Sequence, residues 1–157
     1  MGTTTFSGPV VSNAGFITGT DVVAPSVTAS TLAVTSDYNG EIIPLNRAAG
    51  IAVTLPAATG SQAVYSFFVG TTITSNSTTI KVANSTDVMN GIANVGGTTG
   101  VVYSTLPASD TITLNGSTTG GVAGSIIRVT DIASGIWNVT ANLIGSGTPA
   151  TPFSATV

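Results

Sequence analysis

DTITLNGSTTGGVAGSIIRVTDIASGIWNVTANL, residues 110–143, is the stretch whose reading decides the fold. Three runs within it alternate. Ile112 and Leu114 stand among Thr111, Thr113 and Asn115; Ile127 and Val129 stand beside Arg128 and Thr130; Trp137, Val139, Ala141 and Leu143 are separated by Asn138, Thr140 and Asn142. A period of two gives each run the form of a strand with one dry face and one wet face. Asn115-Gly116 and Ser134-Gly135 place between the runs residues that tolerate positive φ. The stretch predicts an antiparallel meander covered on one side only.

The same pattern extends towards the N-terminus. Residues 41–45 form a short strand interrupted by Pro44, which places it at a sheet edge. Ile51, Val53 and Leu55 alternate with Ala52 and Thr54. Adjacent Phe67 and Phe68, in the run 63–69, point to opposite faces, so this strand is expected to be central, covered on both sides, and an anchor of the core or of an interface. Ile80 and Val82 face inward around Lys81. Asn90-Gly91 and Gly96-Gly97 mark turns around a short strand at 92–95, and residues 101–103 make another. No helical period of useful length occurs. The expected fold is an all-β antiparallel sandwich or barrel, jelly-roll-like, over residues 37–157.

Residues 1–36 differ. They carry one charge, Asp21, with Pro9 and Pro25 and short apolar spots at Val10-Val11, Phe16-Ile17 and Val22-Val23. A disordered tail is normally polar and charged. This neutral, mildly apolar segment is expected to be an extended arm that gains order on another protein.

Composition narrows the function classes. Cysteine and histidine are absent, so thiolate chemistry, the usual zinc sites and an imidazole base have no residues to use. No cofactor or metal is expected. Charged residues make 6% of the chain, against about 25% in soluble domains. With only Arg47, Lys81 and Arg128 as cations there is no basic stripe for phosphates, so nucleic acid is not an expected partner. So few charges leave little repulsion between copies, which suits a life inside an assembly. Mean hydropathy is +0.50, yet no run approaches the length of a membrane span. The opening MGTTTFSGPVV has neither the basic nor the apolar region of a secretory signal, and synthesis in a host cytoplasm is expected.

The runs TITLNGSTTGG, VTDIASGIWNV and the closing GSGTPATPFSATV resemble the C-terminal part of bacteriophage head decoration proteins and head fibres. TTTFSGPVVSNAGF near the N-terminus and LPAATGSQAVYSFFVGT in the centre agree with that resemblance. It implies an accessory structural protein of the virion, a decoration or cement protein on the outer capsid surface with the major capsid protein as its partner. It also implies a homotrimer, because such proteins often sit on three-fold axes. The arm residues Phe6, Val10, Val11, Phe16, Ile17, Val22 and Val23 would then supply the capsid contact.

The six carboxylates, Asp21, Asp37, Glu41, Asp87, Asp110 and Asp131, are the only candidates for acid or base catalysis. Asp37, Asp87 and Asp110 stand at turns or strand starts, where Asp ordinarily bonds its own backbone. Arg128 and Asp131, near one strand end, are candidates for pairing with neighbours, and an exposed pair is a weak functional signal. Gly120-Gly121 and Gly124 precede a strand rather than a helix and lack the Lys of a phosphate loop, so they read as a turn. Trp137 reads as a core or interface anchor before a sugar platform. No catalytic residue is expected. The alternative to a decoration protein is a head-fibre module that binds a carbohydrate or receptor.

Overall fold

Side chains at every second position turn inward along the strands, and the core they form sits between two layers. The computed structural model describes residues 26–157. Its strands are β1 (Thr31–Ala33), β2 (Ile42–Leu45), β3 (Ala52–Thr54), β4 (Val64–Val69), β5 (Thr78–Lys81), β6 (Val88–Val95), β7 (Val101–Ser104), β8 (Thr111–Leu114), β9 (Ile126–Ala133), β10 (Ile136–Leu143) and β11 (Phe153–Ser154). A single 3-10 turn at Ser36–Tyr38 is the only helical element among the described residues. Five strands form one sheet in the order β1-β3-β5-β8-β11, and six form the other in the order β2-β4-β9-β10-β6-β7. The two sheets pack as a sandwich that is not closed into a barrel.

Registered rows show how the layers meet. Leu32, Val53, Ile80, Ile112 and Phe153 lie side by side across the five-stranded sheet. Ile43, Phe67, Ile127, Ala141, Ala93 and Tyr103 do so across the other. These residues belong to one continuous apolar cluster or pack against it.

The strand directions are mixed rather than antiparallel throughout. β1 with β3, β3 with β5, β2 with β4 and β6 with β10 run parallel. Parallel neighbours need a long crossover, usually a helix. For the pairs among β1 to β5 the crossover is a strand of the opposite sheet, because the chain steps between sheets there and so winds as a flattened coil, whereas β6 and β10 are joined through β7, β8 and β9.

The expected meander is divided. β9 and β10 do form a hairpin through Ser134-Gly135, with a bulge at its closed end. β8 belongs to the other sheet, between β5 and β11. The connection after it crosses layers through Gly116, Gly120 and Gly121, all with positive φ. Asn90-Gly91, expected at a turn, lies inside β6, where Gly91 pairs with Val139. A Cβ on Gly91 would run into the Val139 carbonyl. Pro44 sits in an edge strand as expected, and residue 27 covers that edge through a Val27 N–H bond to the Pro44 carbonyl at 2.8 Å.

Residues 26–36, assigned to the arm on sequence grounds, contribute β1 and two core side chains, Val27 and Val34. The sandwich therefore begins before residue 37.

Candidate functional site

The loop 56–62 carries the chain from β3 to β4, that is, from one sheet to the other. Its amides are gathered by two carboxylates. Ala58 N–H donates to Asp87 at 2.9 Å. Thr59 N–H, Gly60 N–H and Ser61 N–H donate to Asp131 at 3.1, 2.8 and 2.9 Å, and the hydroxyls of Thr59 and Ser61 add bonds of 3.2 and 2.7 Å. Burial pushes the Asp131 carboxyl up, but the bonds from Ser61, Gly60 and Thr59 outweigh it and hold the group down at about 2. Asp131 is thus an ionised, fully buried clamp. The backbone completes it: Gln62 N–H bonds the Asp131 carbonyl at 2.9 Å, with Gln62 at φ 63°.

Beside the clamp lies a cavity of about 370 Å³. Asp131, Tyr65 and Trp137 line its inner part; Ser36, Asn39, Pro56, Ala57, Thr59, Ser61 and Ala63 form the rest. The rings of Tyr65 and Trp137 pack with centroids 5.9 Å apart at 46°. Trp137 is fully buried, and its Nε1–H has no hydrogen-bond partner. Such an orphan costs about 1 to 3 kcal/mol. Burial, with the nearby Asp131 charge, pushes the Tyr65 phenol up. The lining contains one carboxylate and no Lys or Arg.

A third carboxylate closes the opposite end of the chain. Asp110 accepts from Thr156 N–H at 2.8 Å, Val157 N–H at 3.1 Å and the Thr111 hydroxyl at 2.7 Å. Burial raises its pKa, and these bonds bring it below the usual carboxylate value. Asp87, Asp110 and Asp131 are all buried. Of the described carboxylates, that leaves Asp37 and Glu41 to charge the surface.

The local-turn reading of Asp87 and Asp110 is corrected, since their bonds reach amides 29 and 46 residues away. Asp131 and Arg128 do not pair: Arg128 points outward from β9, whereas Asp131 is 1% exposed. The signal for this was present. Asp131 continues the inward parity of Ile127 and Val129, and a carboxylate on a dry face needs several donors. Gly120, Gly121 and Gly124 lie in the connection between β8 and β9, with positive φ.

Among the core and interface anchors, Trp137 and Phe67 are completely buried. Phe68 is 39% exposed, so β4 is central but covered on one face only. Tyr65, Phe67 and Val69 take the inner positions, which leaves Ser66 and Phe68 outside. The arm residues Phe6, Val10, Val11, Phe16, Ile17, Val22 and Val23 lie outside the described residues. Among the described residues no cluster of three or more carboxylates comes together. Comparison with family models, curated proteins and solved structures returned no match to this chain.

Proposed function

We propose that this chain is a structural virion protein, a capsid decoration or cement protein that binds the outer surface of a phage head through the major capsid protein and stabilises it. One observation carries this reading beyond the resemblance in sequence: the outer face of the six-stranded sheet is a broad, almost uncharged surface. In its outward positions Arg128 is the only charged residue. Ile42, Phe68, Ile126, Ile92 and Val102 are exposed among Ser, Thr and Asn. Asn94 donates to Asn142 across it at 2.8 Å, and Asn138 to the Asn90 carbonyl at 3.0 Å. Depletion of charge at the centre of a patch characterises protein interfaces. The depletion follows from a chain in which charged residues make only 6%.

In this reading the protein is a homotrimer in the virion, with no catalytic role. The test is co-expression with a phage major capsid protein, followed by gradient purification of the particles. The expected result is stoichiometric recovery of the chain with particles and a higher melting temperature than undecorated heads. Particles that neither retain the chain nor gain stability would refute the reading.

A further inference from the structure

We propose that β7 is the edge through which two copies of this chain pair, antiparallel and about a two-fold axis at Tyr103, so that their six-stranded sheets run on into each other. The contact does not depend on a capsid. Its two-fold is a different operator from the three-fold of a homotrimer, so it joins one copy from each of two trimers as readily as two lone chains.

β7 is paired on one side only, with β6. The Thr105 N–H bonds the Gly91 carbonyl at 3.0 Å, which fixes the direction of the backbone groups: those of Val101, Tyr103 and Thr105 turn to β6, and those of Val102 and Ser104 point away from the sheet. An open row of this kind is a template for another strand, and proteins ordinarily guard it with a charge, a proline, a bulge or a covering segment. The other edge of this sheet is guarded twice, by Pro44 within β2 and by Val27 lying over it. In the five-stranded sheet the edge strands β1 and β11 are shorter, and the Phe153 N–H of β11 is taken by the Thr151 hydroxyl at 3.3 Å. β7 has none of these devices. Val102 is 61% exposed and Leu106, just past the strand, 73%, the highest values among the large apolar side chains of the described residues, so the edge is apolar as well as open.

A second copy is the occupant that matches this edge. Rotation about Tyr103 sets Val102 of one copy against Ser104 of the other, and each outward N–H then meets an outward carbonyl. The placement of charge favours the same occupant. Asp37 and Glu41 precede β2 and Arg47 follows it, at the far edge of the sheet, and no charged residue lies in β6, β7 or β10. Two copies that meet at β7 hold their surface carboxylates at opposite ends of the joined sheet, where repulsion across the contact is small.

The full-length protein is followed by sedimentation equilibrium from about 1 μM to about 1 mM, the range in which so small a contact forms. The mass should rise with concentration towards twice its dilute value, whatever the dilute species is. Ser104→Pro removes an outward N–H that β6 does not use, and Val102→Lys puts like charges on the joined edge. Each should weaken the association about tenfold or more. Both side chains are exposed, so both variants should melt with the parent, and Val102→Lys carries the test if the proline disturbs the strand. Ile42→Lys places the same charge at the far edge of the same sheet and should associate like the parent. Failure to bind a capsid leaves these readouts unchanged, so the two readings fail separately. A mass that does not change with concentration, variants at 102 and 104 that associate like the parent, or an equal loss in Ile42→Lys would each overturn the assignment.

Discussion

Asp131 stands directly opposite Trp137 in the pairing of β9 with β10, so a deeply buried carboxylate and the largest core side chain are register partners. One holds the loop 56–62 and the other fills the space beneath it. Changes at the two positions should therefore have different signatures.

Asp131→Ala strands the amides of Thr59, Gly60 and Ser61. The expected loss is about 3 kcal/mol or more, because several buried donors lose their acceptor together. Asp131→Asn keeps one acceptor oxygen and should cost less. Urea unfolding of both variants checks the order; equal losses would mean that the negative charge rather than the hydrogen bonding dominates.

Acid should weaken the fold through the same group. The folded pKa of Asp131, about 2, lies below its ordinary value of 3.8. A depressed carboxylate contributes stability that is complete above the unfolded pKa and disappears as pH falls through the folded one. The contribution is about 2 kcal/mol at neutral pH. It is lost between about pH 4 and pH 2, and Asp110, also lowered, adds loss in the same direction. In Asp131→Asn the slope of stability against pH over this window should be visibly shallower.

Trp137→Ala empties the centre of the sandwich and should cost about 3 to 5 kcal/mol. Trp137→Phe should cost clearly less, since the substitution removes an N–H that has no partner. Thermal melts of the two proteins measure the gap; equal losses would mean that the indole N–H is satisfied in solution.

Gly91→Ala should destabilise through the backbone. Its Cβ has no room beside the Val139 carbonyl in the parallel β6–β10 pair. The expected cost is about 1 to 3 kcal/mol, typical of overpacking. Ala93→Gly, two residues along the same strand, serves as the control for lost side-chain packing.

Two truncations separate fold from attachment. Removing residues 1–25 leaves every described strand, whereas removing 1–36 also takes β1, Val27 and Val34. The shorter deletion should keep the melting temperature of the parent, and the longer one should lower it. Both should lose co-sedimentation with capsids if the arm supplies the grip. Light scattering of the parent should report a trimer.

Strand existence was readable where alternation was clean. Ile51, Val53 and Leu55, or Trp137 through Leu143, announce their inward faces without help. Which sheet each strand joins was not, because period two says nothing about partners: β8 looks like a neighbour of β9 in sequence and lies in the other layer. Asn90-Gly91 has turn chemistry, yet its glycine serves the close approach of two backbones. The clamp was concealed for a related reason. Its carboxylate and its amides are about 70 residues apart, as in the 71-residue span from Gly60 to Asp131, and local patterns carry no trace of such a meeting.

The winding of β1 through β5 from one layer to the other has a consequence for how the protein comes apart. Neither layer can be completed, or peeled away, without threading through its counterpart, so neither is a unit of folding by itself. Assembly has to wait for contacts between distant segments, which places refolding on the slow side for a chain of this size. Amide exchange should report the same cooperativity, with β3 and β4 losing protection together although they share no sheet. A pull applied at Ser26 would act on a coil and draw it out turn by turn, starting from the strip that covers the edge at Pro44.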